Sequence, residues 1–234
     1  FYPWTPTVDN SGNCPGQPIT LFQQGQFNKV PMMMGTVLNE ARLFIYQAAN
    51  KSVSKIEYEG VLTVLFGLKA FDVLKLFPGV DGDNRDVMSV CGTSYVMACP
   101  TRNIAISHSK LVPTYLYRYD HPLSFNANAW GPNFPDCTPP EIVCHGSELP
   151  MVFHAAEPYF KFTAKEEMLS NAVIDYWTNF AHTSNPNKGP NKIPITWPEY
   201  NDNSRLNIIL NGTLAVESNL LHASCDMFAK IGYH

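Results

Sequence analysis

Apolar positions fall into several distinct rhythms along the chain. Val30-Pro31-Met32-Met33-Met34-Gly35-Thr36 is a nearly unbroken apolar run, the pattern of a strand buried on both faces. From Ala41 to Ala49 and from Tyr58 to Leu76, apolar residues recur three and four apart, which predicts two helices. Asp83 to Ser109 reads as helical too, with Val87, Val90, Tyr95, Val96, Ile104 and Ala105 as its apolar positions. Thr114 to Tyr119, rich in aromatic residues, predicts a second strand. Thr163-Ala164-Lys165-Glu166 has the form of a capping box, in which a hydroxyl and a carboxylate three residues apart each bond the other's backbone N–H. Leu169, Val173, Trp177 and Phe180 mark the buried face of the long helix it would start. That helix must end in Asn185-Pro186-Asn187-Lys188-Gly189-Pro190, where proline and glycine forbid continuation. Leu206 to Leu210 and Thr213 to Ser218, joined by Asn211-Gly212, predict a tight β-hairpin.

Between these elements the chain is polar or rich in Pro, Gly and Asn. Residues 1–18 read as a loop, Ile19 to Gln24 as a short helical turn stopped by Gly25, and Asp120 to about Glu141 as a long loop. Val143-Cys144-His145-Gly146-Ser147-Glu148-Leu149 then resembles a loop entering a helix. The order strand, helices, strand, helix, hairpin predicts an α/β sheet. Glu40 and the loop bearing His145 both follow the carboxyl ends of predicted strands, the edge where open α/β sheets place their sites. A histidine suits proton transfer near neutral pH. Taken alone, a single histidine beside apolar residues is more often structural.

Charge and cysteine usage narrow the classes. The formal charge is −4, from 16 basic and 20 acidic residues, which argues against a nucleic-acid surface or a polybasic membrane patch. No apolar run approaches membrane-spanning length. The opening Phe1-Tyr2-Pro3-Trp4 has none of the parts of a signal peptide and reads as though the chain starts mid-sequence. The six cysteines form no CxxC pair and no Cys/His spacing suited to structural zinc, so no metal is expected. Asn50-Lys51-Ser52 and Asn211-Gly212-Thr213 are glycosylation acceptors, at Asn50 and Asn211. With an even cysteine number and 19 prolines they favour the secretory pathway: a secreted, vacuolar or cell-surface protein.

A series of segments in this order resembles one family, the type-B carboxylesterases and cholinesterases of the α/β-hydrolase superfamily. The segments are Pro6-Thr7-Val8-Asp9; Val30 to Glu40; Cys99-Pro100-Thr101-Arg102; and Tyr117-Arg118-Tyr119-Asp120-His121-Pro122. They continue with Val143 to Pro150, Trp177-Thr178-Asn179-Phe180-Ala181, Asn185-Pro186-Asn187, Trp197-Pro198-Glu199-Tyr200 and Cys225-Asp226. The resemblance covers nearly the whole chain and implies residues 1–234 are the C-terminal portion of one α/β-hydrolase domain. That portion would hold the later strands of the central sheet, its packing helices and a C-terminal β-hairpin.

The resemblance also implies roles. Glu40 falls on the family's triad acid and His145 on its base, in the required chain order. The histidine would take the proton from a serine hydroxyl attacking an ester carbonyl, while the acid holds one tautomer and stabilises the imidazolium. No G-x-S-x-G occurs in the chain, so the nucleophile and the oxyanion loop would belong to an N-terminal half that it lacks. The expected partner is therefore a chain carrying that half, and the expected substrate a small ester. No cofactor is implied, the chain alone should be inert, and a homodimer of the assembled enzyme is a further expectation. The competing reading is a non-catalytic relative used for adhesion, storage or structure, since fold does not fix function.

Finer positions follow by the same likeness. Ala41 stands where the family prefers Gly, which implies some crowding in the turn after the acid. Leu43 replaces an aromatic residue that holds quaternary ammonium in cholinesterases, with Phe44 next; this weakens a cation–π case for choline esters. Tyr2 and Trp4 fall near the acyl pocket, although ordinary core aromatics fit them equally well. Glu148 matches an acidic residue near the base and is read as site support. Disulfides Cys99–Cys225 and Cys137–Cys144 are implied, while Cys14 and Cys91 have no assignment.

Overall fold

The structure is a computed structural model that describes residues 7–9, 12, 14–155 and 160–232. Four strands form one sheet in the order β1 (Met32–Val37), β2 (Thr114–Tyr119), β3 (Leu206–Leu210) and β4 (Ala215–Ser218). The first two pairings are parallel and the last antiparallel. This is an α/β arrangement, with the parallel strands separated by helical crossovers.

The helices, in chain order, are α1 (Pro18–Gln23), α2 (Arg42–Ala48), α3 (Lys55–Phe66), α4 (Ala70–Leu76), α5 (Arg85–Gly92) and α6 (Cys99–Ser109), then α7 (Asn126–Trp130), α8 (Leu149–Phe153), α9 (Ala164–Thr183) and α10 (His222–Ile231). On one side of the sheet Trp197, Tyr176, Val173 and Leu169 pack with Tyr115, Tyr119 and Ile208 of the strands. Trp197 is fully buried, and its indole N–H donates to the Leu116 carbonyl in β2. A second cluster is built by α3, α4, α5 and α10, where Tyr58, Leu62, Phe66 and Val73 meet Phe228 and Ile231.

Several elements differ from the pattern read in the sequence. Within this chain β1 is half-buried over Met32–Gly35 and buried at Thr36 and Val37, with β2 as its strand neighbour. The helix expected over Tyr58–Leu76 starts earlier, at a capping box between Ser54 and Glu57. It breaks at Gly67, whose φ of +56° no α-helix tolerates. The 83–109 stretch is helical from Arg85, but Thr93–Ala98 widens into a π-helical turn. That turn precedes Pro100, which lacks the N–H an α-helix would use there.

The hairpin forms as expected, β3 pairing antiparallel with β4, but its connection is longer than two residues. Strand pairing closes at Ile209–Ala215, and neither Asn211 nor Gly212 takes the positive φ a type I′ turn demands. Asn211 Oδ1 accepts from the Gly212 N–H and pairs with His121 Nδ1. The long loop after β2 contains α7 and two short 3₁₀ turns. Helix α10 was not apparent in the periodic reading, although Cys225, Phe228 and Ile231 are spaced for a buried face. The Thr163–Glu166 capping box opens α9 and Ser184, at φ +60°, closes it.

Candidate active site

Glu40 and His145 meet just beyond the carboxyl ends of the parallel strands. Glu40 lies three residues after β1, and its Oε1 accepts from the Val37 N–H at 2.9 Å. The next residue, Ala41, starts the turn into α2 with φ −82°, an ordinary value for any L-residue. The turn therefore does not require glycine at Ala41.

The loop carrying His145 is stitched to the loop carrying Glu40. Asn39 N–H donates to the Val143 carbonyl, the Val143 N–H donates to Asn39 Oδ1, and Asn39 bridges in parallel to Cys144. Below, the Asn126 amide donates to the carbonyls of Pro139 and Ile142. Cys137–Cys144 closes the segment covalently, and both its residues are fully buried. Gly146 turns the chain sharply at φ +93°, a conformation that demands glycine. The Leu149 N–H bonds back to the Gly146 carbonyl as α8 begins.

His145 Nδ1 and Glu40 Oε2 stand 2.5 Å apart. The Glu40 side chain is 7% exposed, whereas that of His145 is about half exposed, at 49%. Phe44 packs against the imidazole at 5.3 Å between ring centres. The hydrogen bond to Glu40 raises the His145 pKa above its usual value, against the opposing effect of partial burial. Glu148 follows three residues later, and burial raises its pKa also, with Glu40 adding to that effect. Its Oε2 is buried without a hydrogen-bond partner among the described residues, as are Ser147 Oγ and the Tyr119 hydroxyl. Burial, Glu148 and Glu40 together push the Tyr117 phenol upward.

The other positions named from the sequence are distributed as follows. Leu43 lines a cleft of about 280 Å³ with Tyr46, Asn50, Arg85 and Phe134. Tyr2 and Trp4 lie outside the described residues. Asn50 is exposed, and Asn211 is half-buried and engaged as described above. Cys99–Cys225 is the second disulfide, tying α6 to α10; Cys91 is buried and free, and Cys14 is free and half-buried. The bonds from Asn39 and the turn at Gly146 were not singled out in the sequence. Gly146 carried a signal, a glycine directly after the histidine; Asn39 carried none, because its partner lies 104 residues away.

Residues 78–228 match the model of the carboxylesterase family. The chain belongs to that family. A relative from Dictyostelium discoideum, the cAMP-regulated D2 protein, is 31% identical over 92% of this chain and 39% of its own length. Carboxylesterase 1D of Rattus norvegicus is 28% identical over 85% of this chain and 36% of its own. Among solved structures, a thermophylic PNB esterase superposes with a TM-score of 0.71 at 24% identity, covering 92% of this chain and 41% of that one. The chain thus spans about two-fifths of the length of the relatives it matches. Its strands and helices are part of an α/β-hydrolase fold. Among the described residues no helix is long and apolar enough to cross a membrane, and no cluster of His, Cys, Asp or Glu has a metal-binding arrangement. The two disulfides fit an oxidising environment.

Proposed function

We propose that this chain supplies the acid and base of a serine carboxylic-ester hydrolase whose nucleophile is carried by the N-terminal half of the same fold. The observation that carries this reading is the hydrogen bond between Glu40 and a half-exposed His145 imidazole. In the reaction, Nε2 takes the proton of a serine hydroxyl as its oxygen attacks the ester carbonyl. The imidazolium, held in orientation by Glu40, then protonates the departing alcohol; water attacks the acyl-enzyme by the same route in reverse. Charge on the tetrahedral intermediate needs oxyanion donors, which in this reading come from the other half as well.

Residues 1–234 are in this reading the C-terminal portion of one catalytic domain, and the chain is inert by itself. Its partner is the polypeptide bearing G-x-S-x-G, which would pair with the open edge of β1 and cover its half-buried face. Glu148 supports the site, Phe44 shapes the wall beside the imidazole, and the substrate is a small ester. The disulfides and the exposed Asn50 sequon favour the secretory pathway, with the product secreted, vacuolar or at the cell surface. A purely structural relative has no chemical need for a buried carboxylate bonded to a half-exposed imidazole.

A fluorophosphonate probe applied to the intact protein tests this. Covalent labelling of a serine outside residues 1–234, abolished by His145→Ala, is the expected result. No labelling of the intact protein would overturn it.

A further inference from the structure

The turn after Glu40 is held from a place that the acid–base pair does not explain. The Ala41 N–H donates to Thr93 Oγ1 at 3.0 Å in the buried interior, although the two residues are 52 positions apart. Ala41 precedes α2 and receives no cap from its own segment, so this N–H is one of the donors a helix start leaves unmet. Thr93 meets that need from the first position of the π-helical turn Thr93–Ala98. Gly92, the residue before it, faces Ala41 directly: a Cβ at Gly92 would stand 3.0 Å from the Ala41 Cβ. A glycine inside a helix weakens it, and here its absent side chain is what lets α5 approach the acid's turn.

We propose that Thr93 is a positioning residue for the triad acid, and that the π-helical turn serves to bring its hydroxyl to the Glu40–Ala41 peptide. The Glu40 carboxylate is held at one oxygen by Val37 N–H and at the other by His145, but the direction of its side chain is set by the backbone that Thr93 pins. Thr93 is buried and β-branched, with few rotamers open to it, so the anchor is stiff. Gly92 and Ala41 complete the arrangement as a matched pair, with the methyl group on one side and the space for it on the other. This inference rests on the esterase reading for its consequence in catalysis, but not for its effect on His145.

The experiment uses the intact protein, including the serine-bearing half, with Thr93→Val, Thr93→Ser and Gly92→Ala. Thr93→Val keeps the shape and removes the acceptor; kcat should fall by about ten- to a hundredfold with KM little changed. The acid limb of its pH–rate profile should move to lower pH, because a poorly aimed Glu40 no longer raises the His145 pKa. Thr93→Ser restores the acceptor and should restore both. Gly92→Ala, with the hydroxyl intact, should displace Ala41 and shift the profile in the same direction; it decides the matter if Thr93→Val does not fold. A Val variant that matches Ser in kcat and pH profile overturns the proposal, as does a Val variant that only melts earlier. The His145 imidazole is also titrated by NMR in each variant. If the wild type turns over no ester, a lowered His145 titration in Thr93→Val still supports the positioning role, and an unchanged one overturns it.

Discussion

Glu40 and His145, 105 positions apart in the chain, share one hydrogen bond of 2.5 Å. Their loops share three further backbone and side-chain links through Asn39, Val143 and Cys144. The pair is thus fixed by its own scaffold before any substrate arrives, which is what a catalytic acid and base require. The imidazole itself is half exposed.

Replacing Glu40 by Gln keeps the side-chain shape but removes the charge that favours one tautomer and the imidazolium. Ester turnover by the intact protein should drop about 10⁴-fold, the scale seen when a triad acid becomes an amide. Steady-state kinetics on a chromogenic ester measures this; a loss of less than about tenfold would remove Glu40 from the triad.

The raised His145 pKa has a signed consequence for stability. The folded-state value exceeds the unfolded one, so the contribution is fully present below about pH 6.5 and is lost as pH rises through the folded value. The difference in Tm between the native protein and Glu40→Gln should be greatest near pH 6, about half a unit below the ordinary histidine value, and shrink toward pH 8.5, about two units above it. The imidazole is half exposed, so the effect is modest. Calorimetry across that range, showing a difference that grows with pH, would contradict the assignment.

The two disulfides should separate stability from activity. Cys99–Cys225 closes a loop of 126 positions, and its loss should cost about 5 kcal/mol on loop entropy. Cys137–Cys144 closes only 7 positions and should cost about half as much. The smaller bridge ends one residue before His145, so Cys137→Ser with Cys144→Ser should lower kcat far more than its effect on Tm suggests. Denaturant melts and kinetics on both double variants check the inversion.

Gly146→Ala places a side chain at φ +93°. The strain of about 1 to 3 kcal/mol should be relieved by shifting the loop, with a fall in kcat of about tenfold or more and little change in far-UV circular dichroism. Wild-type kcat in this variant would show that the turn does not aim the histidine.

Peptide mapping should find glycan on Asn50, which is exposed just past α2. Asn211 should carry less, because its side chain is half-buried and bonded to His121 and to the Gly212 N–H. Equal occupancy at both sites would mean that this hydrogen bonding forms too late to compete with modification.

The residues by themselves determined much of this. Short-range rules act within a few positions, so the Thr163–Glu166 capping box, the start of α9 and its stop before the Asn185–Pro190 segment were readable in order along the chain. Strands β1 and β2 declared themselves by composition. The order of family segments pointed to Glu40 and His145 because residue identity and chain order are sequence properties.

Tertiary structure decided what depends on distant partners. The partner of the Asn211 side chain is His121, 90 positions away, which no local pattern announces. The order of the strands in the sheet, with β2 between β1 and β3, is set by pairing through space and not by any local pattern. The hold of Thr93 on Ala41 and the stitching of Asn39 to Val143 are likewise invisible in a linear reading. Hydrogen bonds and packing act through space, and only the folded chain sets which residues are close enough to use them.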